Sequence, residues 1–81
     1  MQNDIYSETR RLANLLKDES ADNADIANEL TDAIDYSAAS GEALMKLKYY
    51  IGKVLSNKNN YSSELMKLAS DIYSDIVKLI G

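Results

Sequence analysis

A run of acidic side chains at helical spacing is the first feature of this sequence with the potential for chemistry. Carboxylates on bundle helices bind pairs of metal ions, but those sites also use Glu-x-x-His motifs, and the chain contains no His. The acidic segment 18–25 lacks the Gly and the closing Glu of a calcium loop. The sequence therefore predicts no metal site. The acidic run consists of Asp22, Asp25, Glu29 and Asp32.

Residue types needed for most enzyme chemistry are missing. Without Cys and His, the chain has neither a thiolate nucleophile nor the usual acid–base group near neutral pH. It contains no Gly-rich phosphate loop and no G-x-S-x-G turn. A carboxylate pair alone can hydrolyse glycosides, but nothing indicates a substrate cleft in a chain of 81 residues. We therefore predict that the protein is not an enzyme and uses no cofactor.

Tyrosines beside lysines and asparagines form the second candidate feature, and all six aromatic residues of the chain are Tyr. Tyr49 and Tyr50 are consecutive, so they cannot both face a core, and we expect one to pack and the other to lean outward. Tyr is favoured at interfaces because it buries a large ring and keeps a polar group. The alternative is that these rings only cover the ends of a bundle. The predicted partner-binding residues are Tyr50, Lys53, Asn57, Lys58 and Tyr61.

Helices must position these groups, because the chain has no Pro and three Gly and its apolar residues recur at spacings of three and four. Asn3 or Asp4 is expected to cap the first helix. Ser40–Gly41 is expected to end the second helix, because Gly adopts a left-handed terminating conformation at little cost, and Ser40 is expected to cap the third. The predicted helices span residues 4–17, 23–39, 42–56 and 62–80.

The last helix has an apolar face that covers roughly half of its circumference, wider than one packing contact needs. It is expected to pack against two neighbours, or against one neighbour and a partner. Tyr36 and Tyr73 are expected in the core or at its margin. Short loops make consecutive helices antiparallel neighbours. The fold class is therefore predicted as all-α, with one domain over residues 1–81 that forms an antiparallel up-down-up-down four-helix bundle.

Charge is divided unevenly: residues 1–40 carry a net charge of −6 and residues 41–81 a net charge of +2. One interpretation is attraction between adjacent helices. The other is a basic surface offered to an acidic partner or to anionic lipid head groups. The overall charge of −4 argues against nucleic-acid binding. Because the sequence shows no membrane-spanning run and no signal-peptide segment, we expect a cytoplasmic protein.

The segment LMKLKYYIGKVLSNKNNYSSELMKLASDIYSDIVKLIG resembles the bacteriocin immunity proteins of lactic-acid bacteria, in particular the enterocin A immunity family. The matched pattern is a leucine-spaced helix, a short polar turn and a last helix, carried by Tyr49–Tyr50–Ile51, Tyr61–Ser62, Glu64–Leu65, Leu68, Ile72 and Ile76. The first half is similar more loosely, through Leu12, Leu15, Leu16, Asp18, Asp25–Ile26 and Leu30.

This resemblance implies a cytosolic helical bundle that protects its host from a pore-forming class IIa (pediocin-like) bacteriocin without catalysis. The implied partner is the mannose phosphotransferase permease with bound bacteriocin, reached from the inner face of the membrane. Specificity in the family is attributed to the C-terminal half. In this chain that half comprises the third helix, the turn 57–60 and the fourth helix.

Two other functions stay open on the residues alone. The first is an acidic adaptor or inhibitor of phage or plasmid type, which masks a basic partner surface with the second helix, through Asp25, Glu29, Asp32 and Asp35. The second is a structural bundle that dimerises through the last helix. The expected oligomeric state is a monomer or a weak dimer.

Overall fold

Four α-helices joined by short turns make up the structure, a computed structural model that describes residues 4–80. Two single turns of 3₁₀-helix, Ala21–Asn23 and Lys58–Asn60, lie in the first and third connections. Residues 4–80 contain no β-strand, so the predicted all-α class is confirmed. The helices are α1 (Ile5–Glu19), α2 (Ala24–Asp35), α3 (Ser40–Ser56) and α4 (Ser63–Ile80).

Short polar side chains define the starts of the first and last helices. The Asp4 carboxylate accepts hydrogen bonds from the Tyr6 amide at 3.0 Å and from the Ser7 hydroxyl at 2.8 Å, which confirms the predicted cap. The alternative cap, Asn3, lies outside the described residues. At α4, the Ser62 hydroxyl accepts from the Leu65 amide at 3.1 Å. These bonds satisfy amides that the first turn of a helix otherwise leaves unpaired.

The boundary between α2 and α3 differs from the prediction. The second helix ends at Asp35 instead of residue 39, and Ser40–Gly41 form the first turn of α3 instead of a break. The N-cap of α3 is Ala39, so the expected cap at Ser40 is wrong. The Glu42 carboxylate reaches back to accept from the Ala38 amide at 3.3 Å. This bond pairs a turn amide, as one half of a capping box does.

All four helices contribute to one apolar core. Helix α4 packs against both α3 and α1, which confirms the two neighbours expected from its wide apolar face. Tyr73 packs at the core margin, as expected. Tyr36 was expected there too, but it is 79% exposed because α2 ends before it. The largest fully buried side chains are Leu12, Leu16, Leu30, Leu47, Ile51, Val54, Leu65, Ile76 and Thr9.

Polar contacts join the helices at several levels. The Asn23 side-chain Nδ2 donates to the Leu16 carbonyl at 2.9 Å, where α1 turns into α2. The Glu19 carboxylate accepts from both the amide, at 3.0 Å, and the hydroxyl of Ser62, so that the end of α1 meets the start of α4. Each helix packs against the next along the chain, and α1 also packs against α4. This pattern is consistent with an up-down order. Within residues 4–80, no helix has the length and apolar character needed to cross a bilayer.

Candidate functional site

The outward side of α3 carries an open depression, here called the α3 groove. The buried positions of α3 are Ala43, Leu47, Ile51 and Val54. Because each residue turns the helix by about 100°, residues 45, 48, 49, 52, 53 and 56 fall on the side of α3 opposite these buried positions. Asn57 closes the groove at the helix end, and Tyr73 of α4 forms one wall. The groove is lined by Met45, Lys48, Tyr49, Gly52, Lys53, Ser56, Asn57 and Tyr73.

Gly52 forms the floor of the α3 groove. A Cβ atom at this position would meet Cε2 of Tyr73 at 3.6 Å, which is ordinary van der Waals contact. The packing of the chain therefore does not require Gly at this position. In the middle of a helix, Gly is less favourable than Ala by roughly 0.5–1 kcal/mol. A helix-interior residue without a side chain thus lies in the depression, at some cost in stability.

An aromatic and cationic cluster stands on one side of the groove. The rings of Tyr49 and Tyr50 meet edge to face, with centroids 5.0 Å apart. The Lys53 ammonium lies 4.8 Å from the Tyr49 centroid and 5.8 Å from the Tyr50 centroid, within cation–π range. Among residues 4–80 it has no carboxylate partner. Tyr49 remains 59% exposed, so a ring and a cation are presented together to solvent.

Tyr50 serves the fold more than the surface. It is half-buried against the core, and its hydroxyl donates to the Glu29 carboxylate on α2 at 2.9 Å. This hydrogen bond favours the neutral phenol and raises the pKa of Tyr50 above its usual value. The expectation that one of the two consecutive tyrosines packs and the other leans outward is confirmed, with Tyr49 as the outward ring.

The structure places two of the five predicted partner-binding residues in the lining of the α3 groove. Lys53 and Asn57 both line the α3 groove, and the Asn57 side chain donates to the Lys53 carbonyl at 2.9 Å. Tyr50 adjoins the groove but faces α2. Lys58 is exposed in the 3₁₀ turn, and Tyr61 is half-buried against the core. Whether any of the five contacts a partner stays a prediction.

Sequence reasoning missed most of the groove. Tyr49 was recognised only as one of two tyrosines with an undecided orientation, and Gly52 drew no attention. A usable signal was present, because positions 45, 49, 52 and 56 follow the three- and four-residue spacing of a single helix face. Apolar residues at that spacing were assigned to the core, while the mixed face opposite them was left unassigned.

The acidic side of α2 is partly used within the fold. Glu29 accepts from Tyr50, and Asp35 pairs with Arg10 at 2.5 Å. The pair raises the pKa of Arg10, chiefly through the hydrogen bond to Asp35. Asp25 and Asp32 are exposed. Half of the stripe proposed to mask a basic partner therefore already binds groups of its own chain. No group of three or more metal-ligand side chains is positioned to hold an ion within residues 4–80.

Compared with the known protein families, the curated proteins and the solved structures, the chain matches none. Any functional proposal therefore draws on the residues, on the sequence resemblance and on the geometry of the α3 groove.

Proposed function

We propose that the chain is a non-catalytic immunity protein that protects a bacterium from a pore-forming class IIa bacteriocin. It would bind the bacteriocin-occupied mannose phosphotransferase permease from the cytoplasmic side, as an antiparallel up-down-up-down bundle. The observation that carries the proposal is the α3 groove, where Tyr49 and Lys53 stand exposed. The groove lies in the half of the chain to which the resemblance assigns specificity.

The chemistry of the groove suits recognition by contact. Tyr and Met are enriched at protein interfaces, and a Tyr ring buries a large area while it fixes few torsions. Lys53 is already held over the Tyr49 ring, so less of its freedom would be lost on binding. These residues stand on one long helix, whose backbone is rigid compared with a loop. A preformed surface of this kind supports stoichiometric binding that holds a receptor shut.

The proposal is tested by expressing the chain in a sensitive lactic-acid bacterium and challenging the cells with a panel of pediocin-like bacteriocins. We expect killing by one or two peptides to fall strongly. At equal protein levels, Tyr49→Ala and Lys53→Glu should remove the protection. Lys78→Glu is the matched control, because it makes the same charge change at an exposed site on α4 outside the groove and, like Lys53, Lys78 has no carboxylate partner among residues 4–80.

Two outcomes would contradict the proposal. The first is undiminished killing by every peptide while folded protein accumulates in the cells. The second is protection that all three variants retain, because immunity would then not use the α3 groove. Circular dichroism of the purified variants separates a lost contact from a lost fold.

A further inference from the structure

The α3 groove is basic on a protein that is acidic overall. Of its eight lining residues two are Lys and none is acidic, although the chain carries a net charge of −4. Within residues 4–80, neither Lys48 nor Lys53 has a carboxylate partner. The groove therefore presents two uncompensated positive charges.

Two acidic side chains of α2 and α3 are engaged in contacts of their own. Glu42 pairs with Lys46 at 3.0 Å and accepts from the Ala38 amide. Those contacts lower the pKa of Glu42, chiefly through the hydrogen bond to Lys46, and keep it ionised in its own pair. Glu29 is bound to the Tyr50 hydroxyl. A partner with carboxylates would complement the two lysines of the groove.

The shape of the groove favours an elongated partner. From Met45 to Ser56 it follows α3 for about 17 Å, or roughly three helical turns. Its floor at Gly52 allows close approach by another backbone, as small residues do at helix–helix contacts. Met45 is 67% exposed. Together with Tyr49 and Tyr73, it provides apolar surface beside Gly52. An amphipathic helix laid along a groove uses these features.

We propose that the α3 groove binds an acidic amphipathic helix of a partner protein. An apolar side chain of that helix lies over Gly52 between Tyr49 and Tyr73, and its flanking carboxylates pair with Lys48 and Lys53. The inference rests on the proposed function, since it names the partner chemistry of the same surface. Gly inside this helix then has a role, which is to leave space for the incoming backbone.

The test is a titration of the ¹⁵N-labelled full chain with two synthetic helical peptides. Binding is followed by the NMR chemical shifts of the backbone amides. Both have the same leucine positions, and the flanking residues are Glu in one peptide and Lys in the other. We expect the Glu peptide to produce saturable shifts along α3 and at Tyr73, weakened by added salt. We expect the Lys peptide to produce none.

Variants locate the binding site. Gly52→Gln fills the depression and should weaken binding of the Glu peptide by at least about tenfold. That factor corresponds to about 1.4 kcal/mol of binding free energy. Gly41→Gln is the matched control, because a Cβ atom there meets nothing within 4 Å and the residue lies outside the groove. The double change Lys48→Glu with Lys53→Glu should reverse the preference and favour the Lys peptide.

Three results would overturn the inference: no saturable shift with the Glu peptide up to about 1 mM, equal binding of both peptides, or shifts centred on the end of α4. The cell assay is independent of these. If the Glu peptide binds the groove but killing by every bacteriocin is undiminished, the helix inference stands and the immunity role fails. If protection depends on Lys53 and neither peptide binds, the immunity role stands and the helix inference fails.

Discussion

Polar side chains are used differently between the helices and on the outward side of α3. Between the helices, Arg10 of α1 pairs with Asp35 of α2, and Glu19 of α1 accepts from Ser62, the residue before α4. On the outward side of α3, Lys48 and Lys53 have no carboxylate partner among residues 4–80, and Tyr49 remains largely exposed. The number of charges on a helix therefore does not identify a binding surface. It is more informative to ask whether those charged groups are already bonded within the chain.

The same contrast divides the two interpretations of the uneven charge. Attraction between opposite charges joins Arg10 and Asp35 within the first half, whereas Glu29 reaches α3 through the neutral Tyr50 hydroxyl. Such attraction does not extend to Lys48 or Lys53, which the acidic helix leaves unpaired. The basic-surface interpretation therefore concerns the two lysines that line the α3 groove.

The largest expected effect separates the two faces of α3. Ile51 is fully buried, whereas Met45 is 67% exposed. Truncation of a buried Ile removes apolar contacts and leaves a cavity, so Ile51→Ala should lower the free energy of unfolding by about 2–5 kcal/mol. Met45→Ala should change it by less than about 0.5 kcal/mol. Urea denaturation followed by circular dichroism measures both values.

A small chain has little stability in reserve, roughly 5 kcal/mol or less, so Ile51→Ala is expected to be partly unfolded without denaturant. The contrast between the faces would fail if Met45→Ala were as damaging as Ile51→Ala. Such a result would mean that the outward face of α3 contributes to the core of the folded state.

A second contrast concerns the buried faces of α1 and α4. The buried positions of α4 are all apolar, but α1 buries Thr9 completely, and its hydroxyl has no hydrogen-bond partner among residues 4–80. An unpaired buried hydroxyl is unfavourable. Thr9→Val keeps the branched shape and removes that group, so we expect the free energy of unfolding to rise by about 1 kcal/mol.

Thr9→Ser is the control for this prediction, because it keeps the hydroxyl and removes the methyl group. It should lower the stability. If Thr9→Val were destabilising instead, the Thr9 hydroxyl would have to make a hydrogen bond in solution.

Much of the fold is predictable from sequence because buried apolar residues repeat with the period of a helix. That repeat placed the start of α4 within one residue and its two packing neighbours correctly. It failed at the end of α2, where the Gly of Ser40–Gly41 was taken as a terminator. Gly at the second position of a helix is ordinary, and the turn is held by the bond from the Ala38 amide to Glu42, which apolar periodicity does not report.

The candidate site was less predictable, for a physical reason. Tyr49 and Tyr50 differ by about 100° around α3, and which of them faces outward depends on where α2 and α4 pack. That packing is a tertiary property. The role of Gly52 is hidden for the same reason, since a glycine forms a floor only when a neighbouring helix supplies a wall such as Tyr73.

A smaller effect tests whether Gly52, in the floor of the groove, lowers the free energy of unfolding. Gly52→Ala should raise the free energy of unfolding by about 0.5–1 kcal/mol, because Ala loses less backbone freedom on folding and its Cβ atom meets Tyr73 at an ordinary 3.6 Å. Gly41→Ala, in the first turn of the same helix, should raise the free energy of unfolding by less. Thermal unfolding compares the two. A loss of stability in Gly52→Ala would show that the fold itself needs Gly at this position.

The smallest effect concerns the bond that ties α3 to α2. The Glu29 carboxylate accepts from the Tyr50 hydroxyl and raises the pKa of Tyr50 in the folded state. A folded-state pKa above the unfolded value of about 10 means that the bond contributes fully below pH 10. The contribution is lost as pH rises through the higher, folded-state pKa. The urea midpoint of the wild-type chain should therefore fall more steeply above pH 10 than that of Tyr50→Phe. Tyr49→Phe, which alters the outward ring instead, should keep the wild-type dependence of the urea midpoint on pH. If all three chains had the same dependence, Tyr50 would belong with the exposed side chains of α3 and not with those that are bonded within the fold.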